Sequence, residues 1–321
     1  MTDQRRANGS LRHLLTLEDL DRDELEMLLE RAQHFVRRRG EVAPRSDVLA
    51  GLTIANLFTE PSTRTRVSFE LAAKRLGADV VNLEMQLSSR VKGESMLDTV
   101  FTLESLHVDV FVVRDAEAGV PALVADHVGE NVSVLSAGEA HLSHPTQGLL
   151  DALTILQHKK RCDDLAVAIV GDIRHSRVAR SAWHALRTLG VRELRIVAPQ
   201  ALMPGPQEFA GCARYERIED GLRDVDVVMM LRVQRERFAD TSIPTGDDYF
   251  RQFGLTAARL ALAKPDAIVM HPQPMNRGVE IDTAVADGRH SVIRDQVANG
   301  VAVRMAVLET LAARPVARWS P

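Results

Sequence analysis

The stretch Leu52-Thr-Ile-Ala-Asn-Leu-Phe-Thr-Glu-Pro-Ser-Thr-Arg-Thr-Arg66 combines a buried strand, a hydroxyl-rich turn and the start of a helix. The apolar run 52–58 predicts the strand, and the pattern over 63–76 predicts a helix that stops at Gly77. A helix start exposes backbone N–H groups and the positive end of the helix dipole. The turn adds hydroxyl and guanidinium groups from Ser62, Thr63, Arg64, Thr65 and Arg66. The stretch therefore predicts a site for phosphate or another compact anion.

The alternation of strand-like and helical segments continues along the whole chain. Further strands are predicted at 78–84, 108–113, 131–135, 165–170, 193–198, 225–230 and 267–270. Further helices are predicted at 95–106, 117–127, 145–158, 176–189, 255–263 and 291–313, and one that starts at Asp21 and ends near Gly40. Continuous apolar strands suit parallel sheets with both faces covered, so we expect an α/β fold. The polar segment 232–254 predicts a long mobile loop.

Length and composition limit the possible functions. A chain of 321 residues is comfortable for two domains. A net charge of -4 and aromatic residues at 4% argue against a nucleic-acid binder. Two cysteines, Cys162 and Cys212, cannot form a disulfide framework, which suits a reducing cytoplasm. Because neither a signal segment nor a membrane span is evident, we expect a cytoplasmic protein that does not bind membranes.

Two segments of the first half carry further cations. Lys92 precedes Gly93 in the loop Ser88–Ser95, where it could swing onto an anion, although most loop lysines are merely solvated. Arg114 directly follows the apolar run 110–113, and ligands gather at the carboxyl ends of strands. For Arg114 the alternative is a surface arginine that forms a salt bridge with Asp115.

A third segment, His141-Leu-Ser-His-Pro-Thr-Gln147, precedes a predicted helix. His144 and Gln147 are three residues apart and face one way, so they can bind a carbonyl oxygen and an amino group. The competing interpretation is that His144 caps local backbone. A metal site at His141 and His144 lacks a third ligand at a sensible spacing, and we expect no metal.

Three segments of the second half lie at predicted strand ends. Arg177 is in the first turn of a helix, where a cation opposes the dipole, and this favours an anionic ligand. Arg232 and Gln234 lie on one side of an extended segment. The prolines of 271–274 leave backbone carbonyls available as acceptors. The sequence thus predicts a phosphate-like site in the first half and a carboxylate-like site in the second, and catalysis by positioning and charge stabilisation.

Five motifs together resemble the catalytic chain of the aspartate carbamoyltransferase family. They are Pro61-Ser-Thr-Arg-Thr-Arg66 with Ser68-Phe-Glu70, Ser88-Ser-x-x-Lys-Gly-Glu94, His144-Pro-Thr-Gln147, Arg232-Val-Gln-x-Glu-Arg237 and His271-Pro-x-Pro-Met-Asn-Arg-Gly278. They occur in the family's order from about residue 10 to 313. The resemblance implies a carbamoyl-phosphate domain over 1–150, with the helix 291–313 packed back onto it. It also implies an aspartate domain over 151–290, doubly wound parallel sheets in both domains, and bridging helices.

The resemblance also implies the roles of individual residues. Phosphate would be held by Ser62, Thr63, Arg64 and Thr65. The carbamoyl oxygen would be polarised by Thr65, Arg114 and His144. The carbamoyl amino group would be held by Gln147 and the backbone carbonyls of Gln273 and Pro274. The carboxylates of aspartate would be held by Lys92, Arg177, Arg232 and Gln234. In this family Ser88 and Lys92 enter the active site of a neighbouring subunit, which makes a homotrimer the expected unit.

The implied reaction transfers the carbamoyl group of carbamoyl phosphate to L-aspartate, an early step of de novo pyrimidine biosynthesis, without a cofactor. A dihydroorotase-like or regulatory chain is a possible partner that the sequence does not decide. The nearest rival is an ornithine or other amino-acid carbamoyltransferase. Against ornithine, the chain lacks a Ser-Met-Gly segment and has His-Pro-Gln-Pro where that family has His-Cys-Leu-Pro. A non-enzymatic anion-binding subunit is the other alternative, and the intact set of site residues argues against it.

Overall fold

The computed structural model describes residues 2–37, 40–84, 95–233 and 246–313. Packing divides the chain into two compact units. The first unit comprises the described residues of 1–19, 26–146 and 300–321, and the second those of 20–25 and 147–299. Among the described residues, no helix has both the length and the apolar character needed to cross a membrane.

The first unit is built on a four-stranded parallel sheet. Its strands are β1 (Thr53–Phe58), β2 (Asp79–Glu84), β3 (Val110–Asp115) and β4 (Ser133–Glu139), in the order β2-β1-β3-β4. Its helices are α2 (Thr63–Arg75), α3 (Met96–Ser105) and α4 (Val120–His127), with part of α1 (Arg22–Phe35). Alternate residues of β3, such as Phe111 and Val113, pack with Val100 and Val124 in a fully buried core.

The second unit is built on a five-stranded parallel sheet. Its strands are β5 (Ala166–Val170), β6 (Glu193–Val197), β7 (Ala213–Tyr215), β8 (Val227–Met230) and β9 (Ile268–Met270), in the order β7-β6-β5-β8-β9. The remaining helices of the chain are α5 (Pro145–Lys159), α6 (Arg177–Thr188), α7 (Ile218–Gly221), α8 (Gly246–Phe253), α9 (Ala257–Leu260), α10 (Thr283–Ala286) and α11 (Ile293–Ala312). The expected α/β fold with parallel sheets is confirmed.

Two expectations about secondary structure were wrong, and one short strand was missed. Residues 246–253 of the segment predicted as a loop over 232–254 form α8, because Tyr249 and Phe253 lie one turn apart and both are buried, whereas 234–245 lie outside the described residues. Helix α1 ends at Phe35 rather than near Gly40. The short strand β7 has no buried residue, so it carries none of the apolar signal that the prediction used.

Candidate active site

The start of α2 lacks both a side-chain cap and an acidic residue, which suits a site for an anion. Ser62 is its N-cap residue, yet the Ser62 side chain makes no capping hydrogen bond, and the first turn contains no acidic residue. The first N–H groups of a helix have no partner within the helix. Ser62 and Thr65 are half-buried, whereas Thr63 and Arg64 are exposed. Hydroxyls, a guanidinium group and backbone donors are therefore all available at one helix end.

Arg114 lies at the carboxyl end of β3 and is buried. Strands β3 and β1 are paired, with Phe58 opposite Arg114. The Arg114 guanidinium donates to the carbonyl oxygen of Ala137 at 2.9 Å, and its other Nη is 3.0 Å from Glu60 Oε2. The ion-pair partner is thus Glu60, in the loop before α2, rather than Asp115. These contacts hold the guanidinium beside the chain that leads into α2.

His144 follows β4, which pairs with β3, and it directly precedes α5. The loop between β4 and α5 contacts the end of β3, since the Ala140 N–H donates to the Asp115 carbonyl at 3.0 Å. His144 is buried. The first unit therefore brings the start of α2, Arg114 and His144 to the same edge of its sheet.

Gln147 lies in the first turn of α5 and is buried. Its Nε2 donates to Asp151 Oδ1 at 2.9 Å, one turn further along the helix. Complete burial raises the pKa of Asp151 to about 7. An amide whose nitrogen is already engaged presents its oxygen, which can accept from the N–H of a ligand.

The segment after β9 carries the other predicted acceptors. The Gln273–Pro274 peptide bond is cis, and Gln273 has φ +59. The Gln273 N–H donates to His271 Nδ1 at 2.9 Å. Within the described part of the chain, neither the Gln273 nor the Pro274 carbonyl accepts a hydrogen bond. Both are backbone acceptors of the kind predicted.

Arg177 is the first residue of α6 and is buried. The N-cap residue Ser176 accepts a hydrogen bond from the Ala179 N–H at 3.1 Å. Asp172, just before this turn, accepts from both the backbone N–H and Nδ1 of His175. The guanidinium of Arg177 therefore lies at a helix end whose N-cap serine is already occupied.

Arg232 follows β8, the neighbour of β5 in the sheet. The Leu231 N–H donates to the Val170 carbonyl at 2.8 Å. Gly171 permits this approach, because a Cβ there would lie 2.9 Å from Leu231 Cβ, and its φ of +135 disfavours other residues. The segment that carries Arg232 thus contacts the end of β5, in the turn that leads to Arg177.

Three residues of the predicted site cannot be placed. Ser88, Lys92 and Gln234 lie outside the described residues, so their predicted roles stay predictions. His141 is exposed. No cluster of three or more His, Cys, Asp or Glu side chains suited to a metal ion occurs in the part of the chain that the structure describes.

Sequence reasoning missed the buried side chains that form hydrogen bonds with Gln147 and with the segment after β9. Asp151 and Gln296 were not singled out, and His271 was considered only for its backbone. Asp151 could have been found, since it lies four residues after Gln147 on one helix face. Gln296 gives no local signal, because its partners Asp151 and His271 are distant in sequence.

Two family models match consecutive parts of the chain. One, for the carbamoyl-phosphate-binding domain of aspartate/ornithine carbamoyltransferases, matches residues 12–157. The other, for the Asp/Orn-binding domain of the same family, matches residues 163–311. The order of these domains agrees with the phosphate-like and carboxylate-like halves. The chain therefore belongs to the aspartate/ornithine carbamoyltransferase family.

Solved structures of both branches of the family are similar to this chain. Aspartate transcarbamoylase from Trypanosoma cruzi, in complex with carbamoyl aspartate and phosphate, is 31% identical, with a TM-score of 0.82 over 94% of this chain and 96% of its own. Ornithine carbamoyltransferase from Pyrococcus furiosus is 30% identical, with a TM-score of 0.81 over 92% and 96%. The Thermus thermophilus ornithine enzyme is 26% identical, with a TM-score of 0.82 over 94% and 99%. Overall similarity to these structures therefore does not show whether the amino-acid substrate is aspartate or ornithine.

Proposed function

We propose that this carbamoyltransferase acts on L-aspartate, giving N-carbamoyl-L-aspartate and phosphate. The observation that carries the proposal is the placement of Arg177 and Arg232 after two adjacent strands of the second unit. Two guanidinium groups suit the two carboxylates of aspartate. They would repel the side-chain ammonium of ornithine. Gln234 and Lys92 complete the proposed aspartate site.

The proposed site for the electrophile, carbamoyl phosphate, draws mainly on residues of the first unit. Ser62, Thr63, Arg64 and Thr65 bind the phosphate of carbamoyl phosphate with α2 backbone N–H groups. Thr65, Arg114 and His144 donate to the carbamoyl oxygen. The acceptors Gln147 Oε1 and the carbonyls of Gln273 and Pro274 bind the carbamoyl amino group.

The reaction needs no covalent enzyme intermediate. The aspartate amine attacks the carbonyl carbon and forms a C–N bond, and the carbonyl oxygen becomes an oxyanion beside Arg114, His144 and Thr65. The bond from carbon to the phosphate oxygen then breaks. Phosphate leaves with the electron pair and takes the proton of the amine. The donors act by stabilising the developing charge.

We propose in addition that the active unit is a homotrimer in the cytoplasm, with Ser88 and Lys92 of each chain completing a neighbour's site. The reaction belongs to de novo pyrimidine synthesis. Sedimentation or light scattering of the purified chain measures its mass. A monomer with full activity would contradict the shared site.

An acceptor assay tests the proposed function. The purified protein is given carbamoyl phosphate with either L-aspartate or L-ornithine, and the carbamoylated product and phosphate are measured. We expect stoichiometric product with aspartate and none with ornithine. An Arg232→Gln variant serves as the matched control, and we expect its KM for aspartate to rise. Turnover with ornithine alone would assign the chain to the other branch, and turnover with neither would overturn the proposal.

A further inference from the structure

A chain of hydrogen bonds in the second unit, buried except at its half-buried last link, joins Gln147 to the segment 271–274. Gln147 Nε2 and Gln296 Nε2 both donate to Asp151 Oδ1, at 2.9 and 2.7 Å. Gln296 Oε1 accepts from the His271 N–H at 2.9 Å, and His271 Nδ1 accepts from the Gln273 N–H at 2.9 Å. We call Gln147, Asp151, Gln296, His271 and Gln273 the Asp151 network.

The chemistry of Asp151 decides which way the Gln147 amide faces. An ionised carboxylate can only accept, so the amide must turn its NH2 group towards Asp151. The amide oxygen is then the end that is left for a ligand. Asp151 Oδ2 makes no hydrogen bond within the described residues. Because burial raises the pKa of Asp151 to about 7, a proton taken up on Oδ2 still leaves Oδ1 as the acceptor.

The other end of the network fixes the loop after β9. Because His271 Nδ1 accepts from Gln273, the ring carries its proton on Nε2, which donates to Glu280 Oε1 at 3.2 Å. Glu280 Oε1 also accepts from the Asn276 N–H. Both His271 and Glu280 are fully buried. The loop that carries the Gln273 and Pro274 carbonyls is thus held by hydrogen bonds from side chains that have no exposed surface.

We propose that Asp151 is a positioning residue that selects the carbamoyl amino group. Through Gln147 it presents one oxygen acceptor, and through Gln296 and His271 it supports the loop that presents the carbonyls. The proposal rests on the proposed function. An amino group, which only donates, satisfies these acceptors, whereas the methyl group of acetyl phosphate leaves them unpaired. Sites with buried polar groups reject analogues that cannot pair with them.

A purely structural role is the alternative, and the chain offers a matched control for it. Asn299 joins the same two helices, α5 and α11, one turn further along. Its Nδ2 donates to Thr154 Oγ1 at 2.9 Å and to Gln157 Oε1 at 2.8 Å. Asn299 is buried like Gln147, Asp151, Gln296 and His271, and its side-chain bonds go to other residues. Asn299→Ala should therefore weaken the packing of α5 against α11 without disturbing the Asp151 network.

The test compares two ligands in Asp151→Leu. Leucine offers no acceptor, so the Gln147 amide is free to turn its nitrogen to the ligand, whereas the conservative variant Asp151→Asn keeps an amide oxygen at the Oδ1 position and should bind both ligands nearly as the wild type does. By calorimetry we expect the Kd of carbamoyl phosphate to rise about 10- to 100-fold in Asp151→Leu, a range typical of one unmatched buried hydrogen-bonding group. The Kd of acetyl phosphate should change less than about 2-fold, because the phosphate contacts are untouched. Asn299→Ala should leave the ratio of the two Kd values unchanged.

A double variant tests whether Asp151 acts through Gln147. In a Gln147→Ala background, Asp151→Leu should weaken carbamoyl phosphate much less than it does alone. Equal weakening of both ligands by Asp151→Leu, or additive effects in the double variant, would overturn the proposal. If Asp151→Leu fails to fold, Gln296→Leu breaks the same network and should likewise raise the ratio of the Kd of carbamoyl phosphate to that of acetyl phosphate. Binding is measured without turnover, so a wrong acceptor assignment would not affect the result.

Discussion

The two units each contain a junction from a central strand to a helix, and the two junctions differ in one hydrogen bond. At the start of α2, Ser62 makes no side-chain cap. At the start of α6, Ser176 caps the helix by accepting from the Ala179 N–H. Neither first turn has an acidic residue, and both have an arginine. The first junction therefore leaves its first backbone N–H groups without a side-chain cap, whereas a serine oxygen already accepts from one of them in the second.

The two junctions also differ in how deeply their side chains are buried. Thr63 and Arg64 of the first junction are exposed, whereas Ser176 and Arg177 of the second are buried. An uncapped, exposed helix end costs little to leave open, because water can bind its N–H groups until a ligand arrives. A buried helix end needs its cap. In the proposed function, the same local sequence device therefore serves two kinds of anion recognition.

The largest effect should come from the donor beside the first junction. Arg114→Ala removes the proposed oxyanion donor, and we expect kcat to fall about 100-fold or more. The control is Arg195→Ala, since Arg195 is also buried and donates to the Gly221 and Arg223 carbonyls. That variant should lose stability but retain kcat while folded. Near-normal turnover of Arg114→Ala, measured under saturating substrates, would remove Arg114 from the mechanism.

A substitution at the second junction should instead change the affinity for aspartate. Arg177→Ala removes charge-assisted hydrogen bonds, so the KM for aspartate should rise about 10- to 100-fold while the Kd of carbamoyl phosphate stays unchanged. Arg180→Ala is the control one turn along, where the side chain pairs with Glu208 and stacks on Phe209. Steady-state kinetics and calorimetry measure the two constants. Equal weakening of both substrates would mean that Arg177 is structural.

The interiors of the two units should respond to pH in opposite directions. Burial lowers the pKa of His13 in the first unit to about 4, and burial raises that of Asp151 in the second to about 7. The His13 contribution is present above its unfolded pKa of about 6.5 and is lost as pH falls towards 4. The Asp151 contribution is complete below about pH 4 and is lost as pH rises through 7.

These opposite slopes can be separated by substitution. In His13→Asn, an amide oxygen can still accept from the Val134 N–H, which donates to His13 Nδ1 at 2.9 Å in the wild type. Between pH 7 and pH 5 the variant should avoid a loss of roughly 1–3 kcal/mol in unfolding free energy. Asp151→Asn should flatten the loss between pH 5 and pH 8. Denaturant unfolding at each pH gives the slopes, and a parallel pH dependence of wild type and His13→Asn would refute the assignment.

The smallest expected effect concerns the hydrogen bond with which Ser176 caps α6. Ser176→Ala should reduce the unfolding free energy by about 1 kcal/mol, because it removes an N-cap acceptor. Ser62→Ala should cost no more than about 0.3 kcal/mol, since no cap is lost, but it should weaken carbamoyl phosphate. Chemical denaturation of the two variants without ligand measures the difference. Equal losses would show that the junctions are alike in the unliganded protein.

The sequence by itself determined the parallel α/β architecture and the local sites. Continuous apolar strands indicated buried sheets, and Ser62–Arg66 marked a helix end proposed to bind an anion, because each signal depends on neighbours within one or two turns. Arg114 and His144 could be predicted at strand ends of the first sheet, and Arg177 and Arg232 at strand ends of the second, because strand ends are readable in the sequence, and their roles stay predictions. The helix α8 was missed because its polar flanks hid two buried aromatic residues.

Only the tertiary structure decided which atoms these residues present. The capping state of Ser62 and Ser176 depends on side-chain geometry that identical residue types do not distinguish. The pairing of Arg114 with Glu60 depends on the register of β1 and β3. The orientation of the Gln147 amide depends on Asp151 and on Gln296, which is distant in sequence. Local patterns determine which groups are available, whereas burial and long-range hydrogen bonds determine their direction and charge.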